Sequence, residues 1–127
     1  MTKLNGIVSM GVLWVLVVIG VTVLMMPNAA VAITCDDVNR YLLPCFGYLT
    51  SQDNNAKPDR VCCKGVANLN NAAGTPANRQ TACRCMQQLQ RQYSRYVNPY
   101  NAKELPHRCD VYVPYEISTS TNCDNVR

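Results

Sequence analysis

The sequence predicts an all-α fold in which four helices form a disulfide-stapled bundle, followed by an irregular C-terminal tail. Three observations lead to this prediction. The chain holds 8 cysteines in 127 residues, apolar side chains recur at helical spacing in successive segments, and the one segment with strand-like alternation has no second strand to pair with. A chain of this length suits a single domain.

The N-terminal segment has the pattern of a secretory signal peptide. No charged residue occurs from Leu4 to Thr34, and most of this stretch is apolar. Ala30 and Ala32 place small residues at the two positions that a signal peptidase inspects. The apolar run is also long enough for a membrane anchor, but the small-residue site directly before the first cysteine favours cleavage. We therefore expect a signal peptide over residues 1–32 and a secreted domain over residues 33–127.

The expected secreted domain is basic and poor in large apolar side chains. With Lys3 in the signal peptide, 11 of the 12 lysines and arginines remain beside all 8 acidic residues, a formal charge of +3. An even number of cysteines in such a chain indicates that disulfides replace part of the core. Four disulfides at about 2 to 4 kcal/mol each would hold a fold whose interior is not fully packed.

The cysteine spacing restricts the disulfide pairing without deciding it. Cys62 and Cys63 are adjacent, and Cys83 and Cys85 point to different sides of a helix, so neither pair is placed to form a bond. Most of the 105 pairings of eight cysteines stay open. Zinc is the other use of clustered cysteines, but the oxidising secretory route, a single His107 and the lack of Cys-x-x-Cys pairs argue against it. We expect no metal and no cofactor.

The first two helices follow from apolar spacing and from the residues that precede them. The first helix has apolar positions at i, i+3, i+4 and i+7, which are Val38, Tyr41, Leu42 and Cys45. The acidic pair just before them suits the positive end of a helix dipole. A polar, Asn-rich loop follows over residues 50–57. The second helix is predicted to begin at Pro58-Asp59, to continue towards Ala73 and to stop at Gly74.

The third helix has the strongest start signal, because Thr75 suits the cap and Pro76 the first helical position. Its predicted buried stripe consists of Ala82, Cys85, Met86, Leu89, Tyr93 and Tyr96. A shorter fourth helix is predicted from Asn98-Pro99 to Leu105-Pro106. Beyond Cys109 the alternating residues Val111, Val113, Tyr115 and Ile117 lack a partner strand. We therefore predict an extended, irregular tail that Cys123 pins to the bundle.

Several short motifs resemble those of one protein family. Cys62-Cys63 and Cys83-Arg84-Cys85 occur in the order of an eight-cysteine motif, Pro114-Tyr115-Glu116-Ile117-Ser118 resembles a Pro-Tyr-x-Ile-Ser box, and Thr75-Pro76-Ala77-Asn78-Arg79 resembles a Thr-x-x-Asp-Arg box. Further matches are Val97-Asn98-Pro99, Leu105-Pro106 and Ser120-Thr121-Asn122-Cys123. Over the whole expected secreted domain, the sequence resembles the plant non-specific lipid-transfer proteins of type 1.

The resemblance implies that the helices and the tail enclose an internal apolar cavity. It also implies the disulfides Cys35–Cys85, Cys45–Cys62, Cys63–Cys109 and Cys83–Cys123, and the polar Arg84 between two cysteines goes with this pairing. On the same grounds we expect the cavity to be lined by Val38, Leu42, Val66, Leu69, Ala82, Met86, Leu89, Val111, Val113 and Ile117. Spacing alone would assign the helical members of this set to an ordinary core.

A head-group role is implied for Arg79 and Tyr115. A guanidinium can bind a phosphate or carboxylate with two parallel hydrogen bonds, and a phenol can donate one while its ring lines the cavity mouth. The sequence departs from the family pattern at three places. Asn78 replaces the usual Asp beside Arg79, the Cys45 to Cys62 loop is longer than usual, and Gly47 replaces a common Pro. These departures affect head-group preference and the cavity mouth more than the fold.

The function implied is that of a secreted lipid-binding and lipid-transfer protein in the extracellular space or the cell wall. It would move phospholipids, galactolipids or fatty acyl chains between membranes or to the cell wall, in wax or cutin deposition or in defence. The expected partners are fatty acids, lysophospholipids and phospholipids, with transient contact to a membrane surface. We expect a monomer that binds no nucleic acid.

Other functions remain as alternatives. An enzyme is disfavoured because no Ser-His-acid group or activated thiol is evident around His107. A membrane-active antimicrobial defence protein is the nearest alternative, and a protease or amylase inhibitor shares the same cysteine framework. Arg84, Arg91 and Arg95 share one face of the third helix and are either a contact for anionic membranes or a solvated face.

Overall fold

The helices of the computed structural model lie between Cys35 and Arg108. The structure describes Trp14 and residues 31–127. In this part of the chain α1 spans Cys35–Leu42, α2 Phe46–Leu49, α3 Arg60–Ala72, α4 Pro76–Gln92 and α5 Pro99–Arg108. The 3₁₀ turn Leu43–Cys45 joins α1 and α2 into one helical segment, and a 3₁₀ turn at Cys123–Asn125 closes the tail. The described residues contain no strand, and the predicted all-α fold is confirmed.

The predicted signal peptide, residues 1–32, lies outside the described residues except for Trp14, Val31 and Ala32. Its cleavage therefore stays a prediction. Among the residues that the structure does describe, no helix has both the length and the apolar character needed to cross a bilayer.

Polar side chains cap the helix starts, as the sequence predicts for α3, α4 and α5. The Asp59 carboxylate accepts the N–H of Cys62 at 2.7 Å. The Thr75 hydroxyl oxygen accepts the N–H of Asn78 at 3.2 Å, with Pro76 at the first helical position. Asn98 does the same for α5. These bonds satisfy N–H groups that have no partner inside the helix.

A capping box starts α1. The Thr34 hydroxyl oxygen accepts the N–H of Asp37 at 3.3 Å, and the Asp37 carboxylate accepts the N–H of Thr34 at 2.9 Å. The N–H and the hydroxyl of Thr34 both donate to the Asp37 carboxylate and lower its pKa. The helix then ends earlier than predicted, because Pro44 has no N–H and cannot continue the α-helical pattern. The predicted first helix is therefore divided into α1, the 3₁₀ turn and α2.

Four disulfides join the helices to one another and to the tail. Their Cα–Cα distances are 5.3 Å for Cys35–Cys85, 4.6 Å for Cys45–Cys62, 5.0 Å for Cys63–Cys109 and 5.6 Å for Cys83–Cys123. This is the pairing that the family resemblance implies. Neighbouring helical residues point in different directions, so Cys62 reaches the α1–α2 turn while Cys63 reaches the end of α5.

The buried side chains form separate clusters rather than one continuous core. The first contains Val38, Leu69, Ala73, Ala82 and Cys85. The second contains Cys45, Tyr48, Cys62, Val66 and Leu105. A smaller third cluster, Cys83, Cys123 and Val126, attaches the tail. Each cluster includes disulfide sulfur, so covalent bonds hold the clusters together where apolar packing is sparse.

The guanidinium of Arg108 fastens the long loop between α2 and α3. Its Nη1 donates to the carbonyl oxygen of Ala56 at 2.7 Å and to the hydroxyl of Tyr48 at 3.0 Å, and Nη2 donates to the carbonyl oxygen of Asn54. The cation also lies 5.7 Å from the centroid of the Tyr48 ring and 5.6 Å from that of Tyr100. Burial raises the pKa of Tyr48, and the hydrogen bond from Arg108 opposes this shift.

Replacing Arg108 by Lys should loosen this loop. An ammonium group cannot reproduce the planar array of donors, and hydrogen bonds to charged groups are worth about 1.5 to 3 kcal/mol. We expect faster hydrogen–deuterium exchange over residues 50–59 and a loss of about 2 kcal/mol in the free energy of unfolding. The matched control is Arg60→Lys, at an exposed position of α3. Equal exchange in both variants would show that Arg108 does not hold the loop.

Candidate functional site

An apolar cavity of about 90 Å³ lies inside the bundle. A single buried water needs only about 10 to 15 Å³, so the space exceeds an ordinary packing defect. The cavity takes its walls from both main clusters, with Leu69 and Ala82 from the first and Val66 and Leu105 from the second. It is therefore the gap that the divided core leaves open.

Eight of the ten predicted lining residues do surround this cavity. They come from α1, α3, α4 and the tail, and they are Leu42, Val66, Leu69, Ala82, Met86, Leu89, Val113 and Ile117. These eight side chains are all apolar and offer no hydrogen-bonding partner. The cavity suits a ligand whose buried part is hydrocarbon.

Val38 does not line the cavity. Its side chain is fully buried within the first cluster, where Leu69, Ala73, Ala82 and Cys85 surround it. Val38 shares a helix face with Leu42, but it lies one turn nearer the Cys35–Cys85 disulfide, where α1 and α4 are in direct contact. Helical spacing cannot separate a wall residue from a core residue on the same face, and here the interpretation of an ordinary core is correct.

Val111 is also wrongly predicted. Asp110 has a positive φ of 53°, and the N–H of Val111 donates to the carbonyl oxygen of Pro106 at 2.9 Å. The chain is therefore still turning back onto the end of α5 at this point. Val111 packs against the second cluster and lies in an outer groove. The alternation that places Val113 and Ile117 at the cavity wall begins only after Val111.

The cavity has further lining residues that sequence reasoning missed. They lie mainly at helix ends and on α5, and they are Leu49, Asn70, Ala73, Gln90, Val97, Ala102, Leu105 and Pro106. Ala102, Leu105 and Pro106 have the spacing i, i+3 and i+4 on α5, which was an available signal for a buried face. The end residues carry no such signal, because their position depends on how the helices meet.

Arg79 and Tyr115 both reach the cavity. The Arg79 Nη1 donates to the main-chain oxygen of Arg127 at 2.8 Å, which uses one of the five guanidinium N–H groups. Burial raises the pKa of Tyr115 to about 12, and the positive charge of Arg79 opposes this shift. The phenol is therefore protonated throughout the physiological range. The cavity thus has a cation and a hydroxyl group together at one place in its wall.

Asn78, the departure beside Arg79, has a structural role. Its side chain is buried, its Oδ1 accepts the N–H of Ile33 at 3.2 Å, and its Nδ2 donates to the carbonyl oxygen of Ala72 at 3.2 Å. A carboxylate cannot donate the second of these bonds. The amide therefore ties the chain before α1 to the corner between α3 and α4.

The predicted arginine face on α4 is largely engaged by the tail. Arg84 forms an ion pair with Asp124, and Arg91 Nη2 donates to the carbonyl oxygen of Thr119 at 3.4 Å. Arg95 lies beyond the end of α4, which is at Gln92. The three side chains therefore do not form one free face.

Known proteins share this sequence and this fold. Residues 35–123 match the model of the protease inhibitor/seed storage/LTP family. A non-specific lipid-transfer protein of Malus domestica is 48% identical over 107 residues, which cover 84% of this chain and 90% of that protein. The chain belongs to the non-specific lipid-transfer proteins. The family resemblance read from the sequence is thereby confirmed.

Solved structures of lipid-transfer proteins have the same architecture. The barley non-specific lipid transfer protein 1, in complex with a lysophosphatidylcholine, has a TM-score of 0.67 and 33% identity, over 75% of this chain and 100% of that one. The wheat protein, in complex with two phospholipid molecules, has a TM-score of 0.66 and 35% identity, over 74% of this chain and 100% of that one. The fold of this lipid-transfer protein is therefore one that occurs in lipid complexes.

Proposed function

We propose that the cavity binds the hydrocarbon chains of fatty acids, lysophospholipids and phospholipids, and that the protein carries these lipids between membranes or to the cell wall. The observation that supports this most directly is the apolar cavity with Arg79 and Tyr115 in its wall. The barley and wheat relatives in their lipid complexes support the same function. This transport would serve wax or cutin deposition or defence.

The energetics of an apolar cavity suit exchange rather than permanent capture. Burying sixteen methylene or methyl groups is worth on the order of 12 kcal/mol, at about 0.8 kcal/mol for each. Leaving a bilayer costs a similar amount, so transfer from a membrane into the cavity is close to neutral. Because apolar burial is not directional, the cavity should accept acyl chains of different structure.

We further propose that Arg79 and Tyr115 bind the anionic or polar end of the lipid. The Tyr115 hydroxyl makes no hydrogen bond with the described residues, so its proton is available to a ligand. Tyr115→Phe should weaken the binding of a fluorescent fatty acid about fivefold, since a hydrogen bond of about 1 kcal/mol is removed. The effect should be constant from pH 7 to pH 9, because a phenol with a pKa of about 12 keeps its proton over that range.

Tyr112→Phe is the matched control, since Tyr112 lies on the same tail but is exposed and outside the cavity. The methyl ester of the same fatty acid tests the charge of the ligand, and its affinity should change less. Equal fatty-acid affinities for wild type and Tyr115→Phe would remove Tyr115 from the head-group site.

The protein acts as a carrier without catalysis in this proposal. All eight cysteines are in disulfides, so none is a free nucleophile. Hydrolysis of simple ester substrates by the pure protein would overturn this part.

We also propose secretion as a monomer after removal of residues 1–32, and mass spectrometry of protein from the medium should find Ile33 first. Vesicle leakage without lipid exchange would favour the antimicrobial alternative, and inhibition of a protease or amylase would favour the inhibitor alternative.

A further inference from the structure

The turn between α4 and α5 carries two exposed tyrosines. Tyr93 is 38% and Tyr96 62% exposed, although helical spacing assigns both to the buried stripe of α4. The helix ends at Gln92, and the N–H of Tyr96 donates to the carbonyl oxygen of Tyr93 at 2.8 Å. Such a turn brings the two Cα atoms within about 7 Å of each other. The two phenol rings therefore leave the chain at neighbouring points.

This turn is continuous with the wall of the cavity. Leu89 and Gln90 line the cavity just before it, and Val97 lines the cavity just after it. The N–H of Asn98 donates to the carbonyl oxygen of Leu49 at 2.7 Å, and Leu49 is also a lining residue. The exposed residues of the turn thus form the outer side of a segment whose inner side closes the cavity.

The charge of the turn is positive. Arg91 and Arg95 are exposed, residues 91–103 contain no acidic side chain, and Arg95 forms no ion pair with the described residues. The neighbouring loop contacts the turn through Gln52, which donates to the carbonyl oxygen of Tyr96 at 3.5 Å. That loop contributes two carboxylates, Asp53 and Asp59, and each accepts a main-chain N–H two or three residues further along the chain. The arginine charges of the turn are therefore not neutralised.

We propose that residues 91–97 are the surface by which the protein docks on membranes that contain anionic lipid. Tyrosine places an apolar ring and a polar hydroxyl at the level of lipid head groups, and each nearby arginine is attracted to anionic lipid. Docking in this orientation brings the end of the cavity formed by Leu89 and Val97 to the bilayer surface. The docking surface would thus fix how the protein is oriented on the membrane during lipid transfer. This link to transfer rests on the proposed function, whereas docking itself does not.

A second group of exposed apolar residues is the rival docking surface. Leu43, Phe46 and Val61 are 71%, 53% and 64% exposed, and they flank the Cys45–Cys62 disulfide. Charges of both signs lie around this group: Arg40 pairs with Asp37 at 3.5 Å, and Asp59 lies beside Arg60 and Lys64 in the sequence. The charged side chains of the turn, by contrast, are all positive. We therefore assign membrane docking to the turn.

Sedimentation with vesicles tests this assignment. The vesicles are phosphatidylcholine with and without phosphatidylglycerol, at physiological and at high salt, and the protein is purified from the medium of a secreting host. The double variant Tyr93→Ser, Tyr96→Ser should bind mixed vesicles about tenfold more weakly, because two partly apolar rings no longer enter the interface. Arg95→Gln should bind them about fivefold more weakly, and this difference should disappear at high salt.

Two control variants test whether vesicle binding depends on the turn itself or on exposed aromatic rings in general. Tyr112→Ser removes a more exposed ring, 83%, which shares its groove with Glu104 and Asp110, and it should leave vesicle binding unchanged. Phe46→Ser tests the rival surface in the same way. All variants should bind a fluorescent fatty acid in solution as wild type does, because none of the changed residues lines the cavity.

The outcomes are distinguishable from those of the proposed function. Docking by the turn is supported if vesicle binding weakens only in the tyrosine double variant and in Arg95→Gln, while fatty-acid affinity is unchanged in all variants. Wild-type vesicle binding in the double variant, or a larger loss in Phe46→Ser, overturns it. If wild type binds no fatty acid, the proposed function fails, while the vesicle experiment still decides where the protein docks.

Discussion

Ala82→Phe is expected to weaken the binding of long-chain lipids on the order of a hundredfold while the fold is retained. Ala82 is 1% exposed and forms part of the cavity wall on α4. On the side away from the cavity it is packed in the first cluster with the buried Val38 and Cys85. The added ring must therefore enter the cavity.

The size of this loss in affinity follows from the length of acyl chain that the ring displaces. Losing room for about four methylene groups costs about 3 kcal/mol, which is on the order of a hundredfold in affinity. A short-chain fatty acid needs less of the cavity and should lose less. Titration of the variant with fatty acids of increasing length would therefore show a penalty that grows with chain length.

Ala77→Phe is the matched control, because Ala77 lies on the same helix but is exposed and outside the cavity. It should bind all chain lengths as wild type does. Met86→Trp is the alternative variant if Ala82→Phe does not fold. Met86 lies one turn further along α4, and the larger ring at this position would fill the same part of the cavity. A folded Ala82→Phe variant with native disulfides and unchanged affinity would mean that lipid binds elsewhere.

Features that depend on neighbouring residues were predictable from the sequence. Asp59, Thr75 and Asn98 cap their helices because a short polar side chain reaches an N–H two or three residues ahead. Pro76 and Pro99 lie at first helical positions for an equally local reason. Local chemistry therefore placed the starts of α3, α4 and α5.

Features that depend on how the helices meet were not predictable from spacing. Leu42 and Val38 lie on one helix face, yet one lines the cavity and the other fills the core, because periodicity reports which face is inward and not whether space remains there. Tyr93 and Tyr96 have the three-residue spacing of the α4 stripe, but a turn produces that spacing too. The disulfide pairing likewise came from the family resemblance and not from residue spacing.

Gly65→Ala and Gly47→Ala are expected to change stability in opposite directions. Both glycines are helical, so alanine at either position gains up to about 1 kcal/mol from helix propensity. At Gly47 an added Cβ meets no atom within 4 Å, so this gain should appear as a more stable protein. At Gly65 the Cβ would overlap the main-chain carbonyl oxygen of Tyr41 on α1.

The clash at Gly65 is with backbone, so no side chain can move aside to relieve it. α1 and α3 must separate, and overpacking of this kind costs about 1 to 3 kcal/mol or more. We expect a net loss of about 2 kcal/mol, which lowers the melting temperature by about 10 °C in a domain of this size. Guanidinium chloride unfolding of the oxidised protein measures both variants, and shifts in the same direction would contradict the close approach of α1 and α3.

The same contact should also affect the cavity. Leu42 follows Tyr41 on α1, Val66 follows Gly65 on α3, and both side chains line the cavity. Separating the two helices at Gly65 therefore moves two facing parts of the wall, whereas the exposed Gly47 has no such connection. Gly65→Ala should alter the dependence of affinity on acyl-chain length, and Gly47→Ala should leave it unchanged. A loss of stability at Gly65 without any change in that dependence would mean that the width of the cavity is set by other contacts.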